Sequence, residues 1–148
     1  MARKIGFLVL FLLVWVAANR PVVGQNADDF RVIVHPSNPV KSLSPTIVSR
    51  FFLEHKPTWP DGTPVKPIDL TPDSLLRSEF SVEILGRDVA AVRAHWRRLI
   101  FQGSGVPPPT RKSESEIVQF VSSNHNAIGY VSTRVARSAE VKVVTVTN

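Results

Sequence analysis

The sequence predicts an α/β domain, a small sheet flanked by about four helices. Short β-branched apolar runs, Phe30–His35 and Val141–Val146 among them, alternate with stretches whose apolar residues recur every three or four positions. Hydroxyl or carboxylate side chains stand where those stretches begin, where a helix needs acceptors for its first free amides. Most of the twelve prolines fall between the periodic stretches, which marks rigid connections rather than disorder.

The opening residues stand apart from that domain. Arg3 and Lys4 precede an apolar run of about 14 residues, Ile5–Ala18, followed by the modest residues Asn19–Gly24. A spanning helix needs roughly 20 apolar residues, so residues 1–24 read as a secretory signal peptide cut after Gly24. The expected product is a periplasmic or secreted domain, residues 25–148, with no stable membrane span. Losing Arg3, Lys4 and Arg20 takes the formal charge from +6 to +3, which argues against nucleic acid as a partner. The chain has no cysteine, which excludes disulfides, thiol nucleophiles and thiolate metal sites.

Phe30–His35 is the first expected strand. Its near-continuous Val32-Ile33-Val34 suits a strand covered on both faces, as in a parallel sheet. Ser44-Pro45 opens a helix with Ile47, Val48, Phe51 and Phe52 inward, running to about His55. The chain is then organised around residues 58–85. Pro60-Asp61-Gly62 supplies turn chemistry, and Val65–Leu70 alternates as a strand. Thr71 would cap the next helix, with Pro72 at its first position and Asp73 in its first turn. Leu76, Phe80 and Ile84 make one apolar stripe.

Gly86 ends that helix, and Asp88 caps another. Its inner face is Val89, Val92, Trp96, Leu99 and Ile100; Arg93, Arg97 and Arg98 lie opposite, with Arg87 just before. Gln102–Pro109 is a glycine-then-proline loop. Ser113 and Glu116 form a capping box for a helix with Ile117, Phe120 and Val121 inward. Ala127–Ser132 and Val141–Val146 complete the strands.

A strand delivering the chain to a helix start makes a ready anion site. Ser74 and Thr71 could hold an anion through their hydroxyls, and Arg77 through its guanidinium. The plainer reading is a capped helix whose Arg77 faces solvent. Gly103-Ser104-Gly105 could form a nest of amides but lacks the lysine of a nucleotide loop, and a connecting loop is favoured. Arg87, Arg93, Arg97 and Arg98 could make a basic patch for nucleic acid, anionic lipid or an acidic partner, but a solvated face is favoured, with no aromatic among its exposed positions. His35, His55, His95 and His125 are scattered without metal-ligand spacing, and Trp59 reads as a packing anchor. No Gly-x-Ser-x-Gly elbow or other convergent acid, base and nucleophile is present, so no enzyme is expected and no cofactor.

The ordered set Asn38-Pro39, Leu43-Ser44, Ile47, Phe51-Phe52-Leu53, Trp59, Asp61-Gly62, Pro64, Val65, Asp73-Ser74, Arg77, Phe80, Leu85-Gly86 and Ala127–Val131 resembles the phosphate ABC transporter substrate-binding family. The likeness is to its short, single-lobe members within the type II periplasmic binding-protein superfamily, and covers about Val32 to Val146. It implies a single-lobe fold and a non-enzymatic role in holding phosphate or another small oxyanion, with a transporter or envelope protein as partner. The family grips phosphate with Gly-Ser-Gly-Thr at a helix start. This chain has Asp73-Ser74-Leu75-Leu76 there, so Ser74 alone carries over. The alternative is a lobe that has lost its solute and serves as a protein-interaction or sensor module.

Overall fold

The computed structural model describes residues 29–147. The expected signal peptide, residues 1–24, lies outside the described residues. Strand β1 (Phe30–Val34) is the centre of a five-stranded sheet, and Val32, Ile33 and Val34 are all buried. It was expected to sit in a parallel sheet, yet it runs antiparallel to both neighbours, β6 (Ala127–Ser132) and β7 (Lys142–Val146). A continuous apolar run reports that both faces are covered, and it carries no information on strand direction. β2 (Ser42–Leu43) pairs parallel with β7 at one edge, and β3 (Lys66–Pro67) pairs parallel with β6 at the other. The order is β2-β7-β1-β6-β3.

Val65–Leu70 is not one strand. β3 is followed by Ile68, whose N–H donates to Ile128 O at 2.9 Å, and then by β4 (Asp69–Leu70), which leaves the main sheet. β4 instead pairs parallel with β5 (Thr110–Arg111), a strand with no sequence signal of its own. Pro67 explains the tolerance of the first part. Lys66 and Ile68 turn their N–H groups to Asn126 and Ile128, so the missing donor of Pro67 falls on the open edge.

Among the described residues five helices flank the sheets, one more than expected. α1 (Pro45–Leu53) starts as read, with Ser44 Oγ accepting from Ile47 N–H at 3.3 Å. It ends short of His55, and Ile47 stays 38% exposed while Val48, Phe51 and Phe52 are buried. α2 (Leu75–Glu83) and α3 (Val89–Phe101) follow, the latter capped by Asp88. α4 (Glu114–Ser123) carries the expected capping box of Ser113 and Glu116. α5 (Thr133–Ser138) was not foreseen, because six residues are too few to show a helical period. Helices α2, α4 and α5 all touch β1, which covers its apolar run.

The core is aromatic at its centre. Phe80 of α2 stacks on Tyr130 of β6 with ring centroids 3.9 Å apart, and Phe30 and Phe52 meet Phe80 edge-on. The stripe Leu76, Phe80 and Ile84 thus faces inward as expected, Leu76 half-buried and the other two buried. Trp59 is buried, packs edge-on against Phe51 and donates from Nε1 to Asn126 O at 3.1 Å. It is the anchor that its place beside a turn suggested.

Candidate functional site

β4 and β5 run side by side and each leads into a helix, so the heads of α2 and α4 lie at the same end of the two-stranded sheet. Thr71 N–H donates to Arg111 O at 3.0 Å and ties the two connections together. The start of α2 differs from expectation. Thr71-Pro72-Asp73-Ser74 is a turn, closed by Ser74 N–H to Thr71 O at 3.0 Å, and Ser74 is the cap. Proline suits the second position of such a turn as well as the first of a helix, so its presence did not separate the two. Ser74 Oγ accepts from Arg77 N–H at 3.3 Å. The Thr71 hydroxyl bonds Asp73 and holds its carboxyl below the ordinary carboxylate range, with the charge of Lys112 adding to the effect.

Thr71 and Ser74 therefore come together at the head of α2. Arg77 goes elsewhere: it is 5% exposed, and its Nη2 lies 2.9 Å from Asp69 Oδ2 while Nη1 donates to Ser81 Oγ at 2.6 Å. Asp69 is as buried, and its Oδ1 accepts from Tyr130 Oη at 2.5 Å and from Leu70 N–H at 2.9 Å. Burial pushes the Asp69 carboxyl above its ordinary value, against the pull of the Arg77 guanidinium and the Tyr130 hydroxyl. Burial, then the Asp69 charge, pushes the Tyr130 phenol upward too. Arg77 Nε has no partner among the described residues.

Sequence reading missed this buried network, although one signal was present. Arg77 stands three residues before Phe80 and seven before Ile84, on the inward side of the helix, where a cation requires a partner. A cleft of about 600 Å³ lies apart from these residues, lined by Phe30, Arg31, Glu83, Ile84 and β7. Thr71, Ser74 and Arg77 do not line it.

The other sequence candidates resolve as follows. Gly103 has φ +67° and closes α3, with the Gly103 and Ser104 amides donating back to Ile100 O and Leu99 O at 2.9 Å. Those two amides are spent on the helix end and are not held out as a nest. The histidines are not all scattered: the His35 and His125 rings lie 4.2 Å apart, with both Nδ1 atoms on Ser37 Oγ at 2.7 and 3.1 Å. Ser37 N–H also donates to His35 Nδ1, which leaves that nitrogen as an acceptor. Among the described residues no group of three or more His, Cys, Asp or Glu could hold a metal. No helix among them is long and apolar enough to cross a membrane.

Solved structures share this architecture. One assigned as a phosphate ABC transporter substrate-binding protein from Clostridium perfringens, with phosphate bound, superposes with a TM-score of 0.63 at 23% identity. The match covers 80% of this chain and 44% of that one. The fold is that of a single periplasmic binding-protein lobe. An ABC-type phosphate transport receptor from Vibrio cholerae matches the lobe with a TM-score of 0.58 at 19% identity, over 78% of this chain and 45% of its own. PstS from Borrelia burgdorferi gives 0.63 at 11% identity, over 81% and 47%. The lobe thus spans a little under half the length of each of these proteins. No protein-family model and no curated protein matches the sequence.

Proposed function

We propose that the chain is an exported, non-enzymatic binding protein whose lobe holds phosphate or a related small oxyanion at the head of α2. The observation that carries this reading is the fold itself, shared with proteins described as phosphate transport receptors. The head of α2 supplies the chemistry. First-turn amides and the positive end of the helix attract an anion, and the Ser74 hydroxyl adds a donor. Thr71 lies one turn before Ser74, and Lys112 approaches from the start of α4. Arg77 serves this site by position: its pair with Asp69 ties α2 to β4 and sets where the helix begins. Residues 1–24 direct export as a signal peptide, and the partner is a transporter or another envelope protein.

Thermal unfolding with and without millimolar phosphate or sulfate tests the proposal. A ligand at about 100 times its dissociation constant adds roughly 2.7 kcal/mol, a shift of several degrees for a domain of this size. Ser74→Ala alone lowers stability by about 1 kcal/mol as a lost cap, so the ligand-induced shift is the quantity compared. The expected result is a shift that shrinks in Ser74→Ala.

One observation favours a second reading. The ionised Asp73 carboxylate stands at the head of α2, and the Arg77 guanidinium is turned away to Asp69. A lobe so arranged could have exchanged its solute for a protein partner. No shift with any oxyanion, together with a defined partner recovered from an envelope fraction, would establish that role instead.

A further inference from the structure

From the sequence, the outer face of α3 is a solvated row of arginines with no aromatic beside it. In the structure Phe101 is 94% exposed and Ile100 is 53% exposed. Arg93, Arg97 and Phe101 follow at intervals of four, so they form one stripe along the helix, and Arg98 lies three residues before Phe101 on its flank. Ala90, Ala91 and Ala94 are exposed between them, so nothing bulky rises from this face to cover the stripe. The helix carries no acid, and Asp88 at its far end is engaged with Ala91 N–H at 2.7 Å. None of Arg87, Arg93, Arg97 and Arg98 forms an ion pair with a described residue.

We propose that this face of α3 docks on an anionic phospholipid surface. Phe101 and Ile100 enter the boundary between headgroups and acyl chains, while Arg93, Arg97 and Arg98 take phosphate oxygens with their planar guanidinium forks. Charge complementarity selects an anionic surface over a neutral one. The apolar end of the stripe separates a bilayer from other anionic partners. A polyanion or an acidic protein could satisfy the arginines and still leave Phe101 in water, whereas a bilayer takes both. Val92 and Trp96 on the opposite side are locked in the core, so the helix lies flat and the contact is shallow. Each arginine brought near such a surface strengthens partition about fivefold. This surface is separate from the head of α2, and its role stands whichever ligand that site takes.

The test uses the full-length chain, which has no cysteine, so Ala94→Cys offers one thiol in the middle of the face. A polarity-sensitive dye on that thiol is read in vesicles of phosphatidylcholine with phosphatidylglycerol and in phosphatidylcholine alone. The expected result is a blue shift only with phosphatidylglycerol, reversed by high salt. The lipid needed for half-maximal shift should rise at least tenfold in Arg97→Gln/Arg98→Gln, and Phe101→Ser should abolish most of the shift. All replaced side chains are exposed, so these variants keep the fold, which circular dichroism checks. Equal shifts in both vesicles, no shift in either, or a shift that survives these substitutions would overturn the proposal. The last outcome would mean that another segment of the chain makes the membrane contact.

Discussion

Asp69 and Arg77 hold opposite charges in a setting with almost no water, and their pairing decides what each substitution costs. Removing one partner strands the other charge, whereas removing both leaves an apolar gap that can be filled. Asp69→Asn is expected to destabilise the fold by about 3–5 kcal/mol in urea unfolding, and Asp69→Leu/Arg77→Met by clearly less than the sum of its two single changes. Additivity would show that the pair is not coupled. The pH dependence of these residues has two signs. Asp69 sits above its unfolded value of 3.8, so its contribution is full below that pH and declines as pH rises through the folded value. Glu116 is held below 4.5, first by the Ser113 hydroxyl, so its contribution is present above that pH and lost as pH falls. The difference in unfolding midpoint between the native chain and Glu116→Gln should therefore close on acidification from pH 4.5; a constant gap would refute the assignment. The caps Ser44, Asp88 and Ser113 were legible because a cap and its helix lie within a few residues. Asp69 and Tyr130 were not, since nothing local reveals that residues 61 apart are hydrogen-bonded.

At the level of elements, Gly129 shows why α4 packs so closely on β6. A Cβ placed there would lie 2.9 Å from Ile117 Cγ2 and from Ile68 Cγ2, with Val121 Cγ2 at 3.3 Å. All three neighbours are buried and have nowhere to move. Gly129→Ala should cost about 1–3 kcal/mol through overpacking, and a neutral result in thermal unfolding would mean that α4 can slide outward. The same contact makes the run Ala127–Ser132 readable from its residues, because a strand buried at every position must be apolar or small. Elements of two residues were beyond reach. β2 and β5 carry too few positions for any period, and β3 and β4 were legible only as one merged strand, Val65–Leu70. The helix face of α3 was read correctly in its middle, at Val92 and Trp96. At its end the pattern misplaced Ile100, since a periodic rule assumes that the packing surface continues as far as the helix does.

For the molecule as a whole, the ordered residues from Asn38 to Val131 carried the fold because spacing survives when individual contacts change. They did not carry the ligand, which at the site proposed above would depend on a handful of atoms at the head of α2. There Asp73 and Leu75 stand where the motif of the resembled family has glycine, and the chain turns before it coils. The sheet order also has a consequence in time. β1 is central, yet both of its neighbours come from the far end of the described chain, β6 and β7. A nascent chain that has emerged only as far as Asn126 holds a strand with two bare edges. Cooperative folding must therefore wait for nearly the whole domain, and early intermediates have little to gain by closing. For the export proposed above, that delay leaves the polypeptide threadable while it crosses a membrane, and places the moment of folding on the far side.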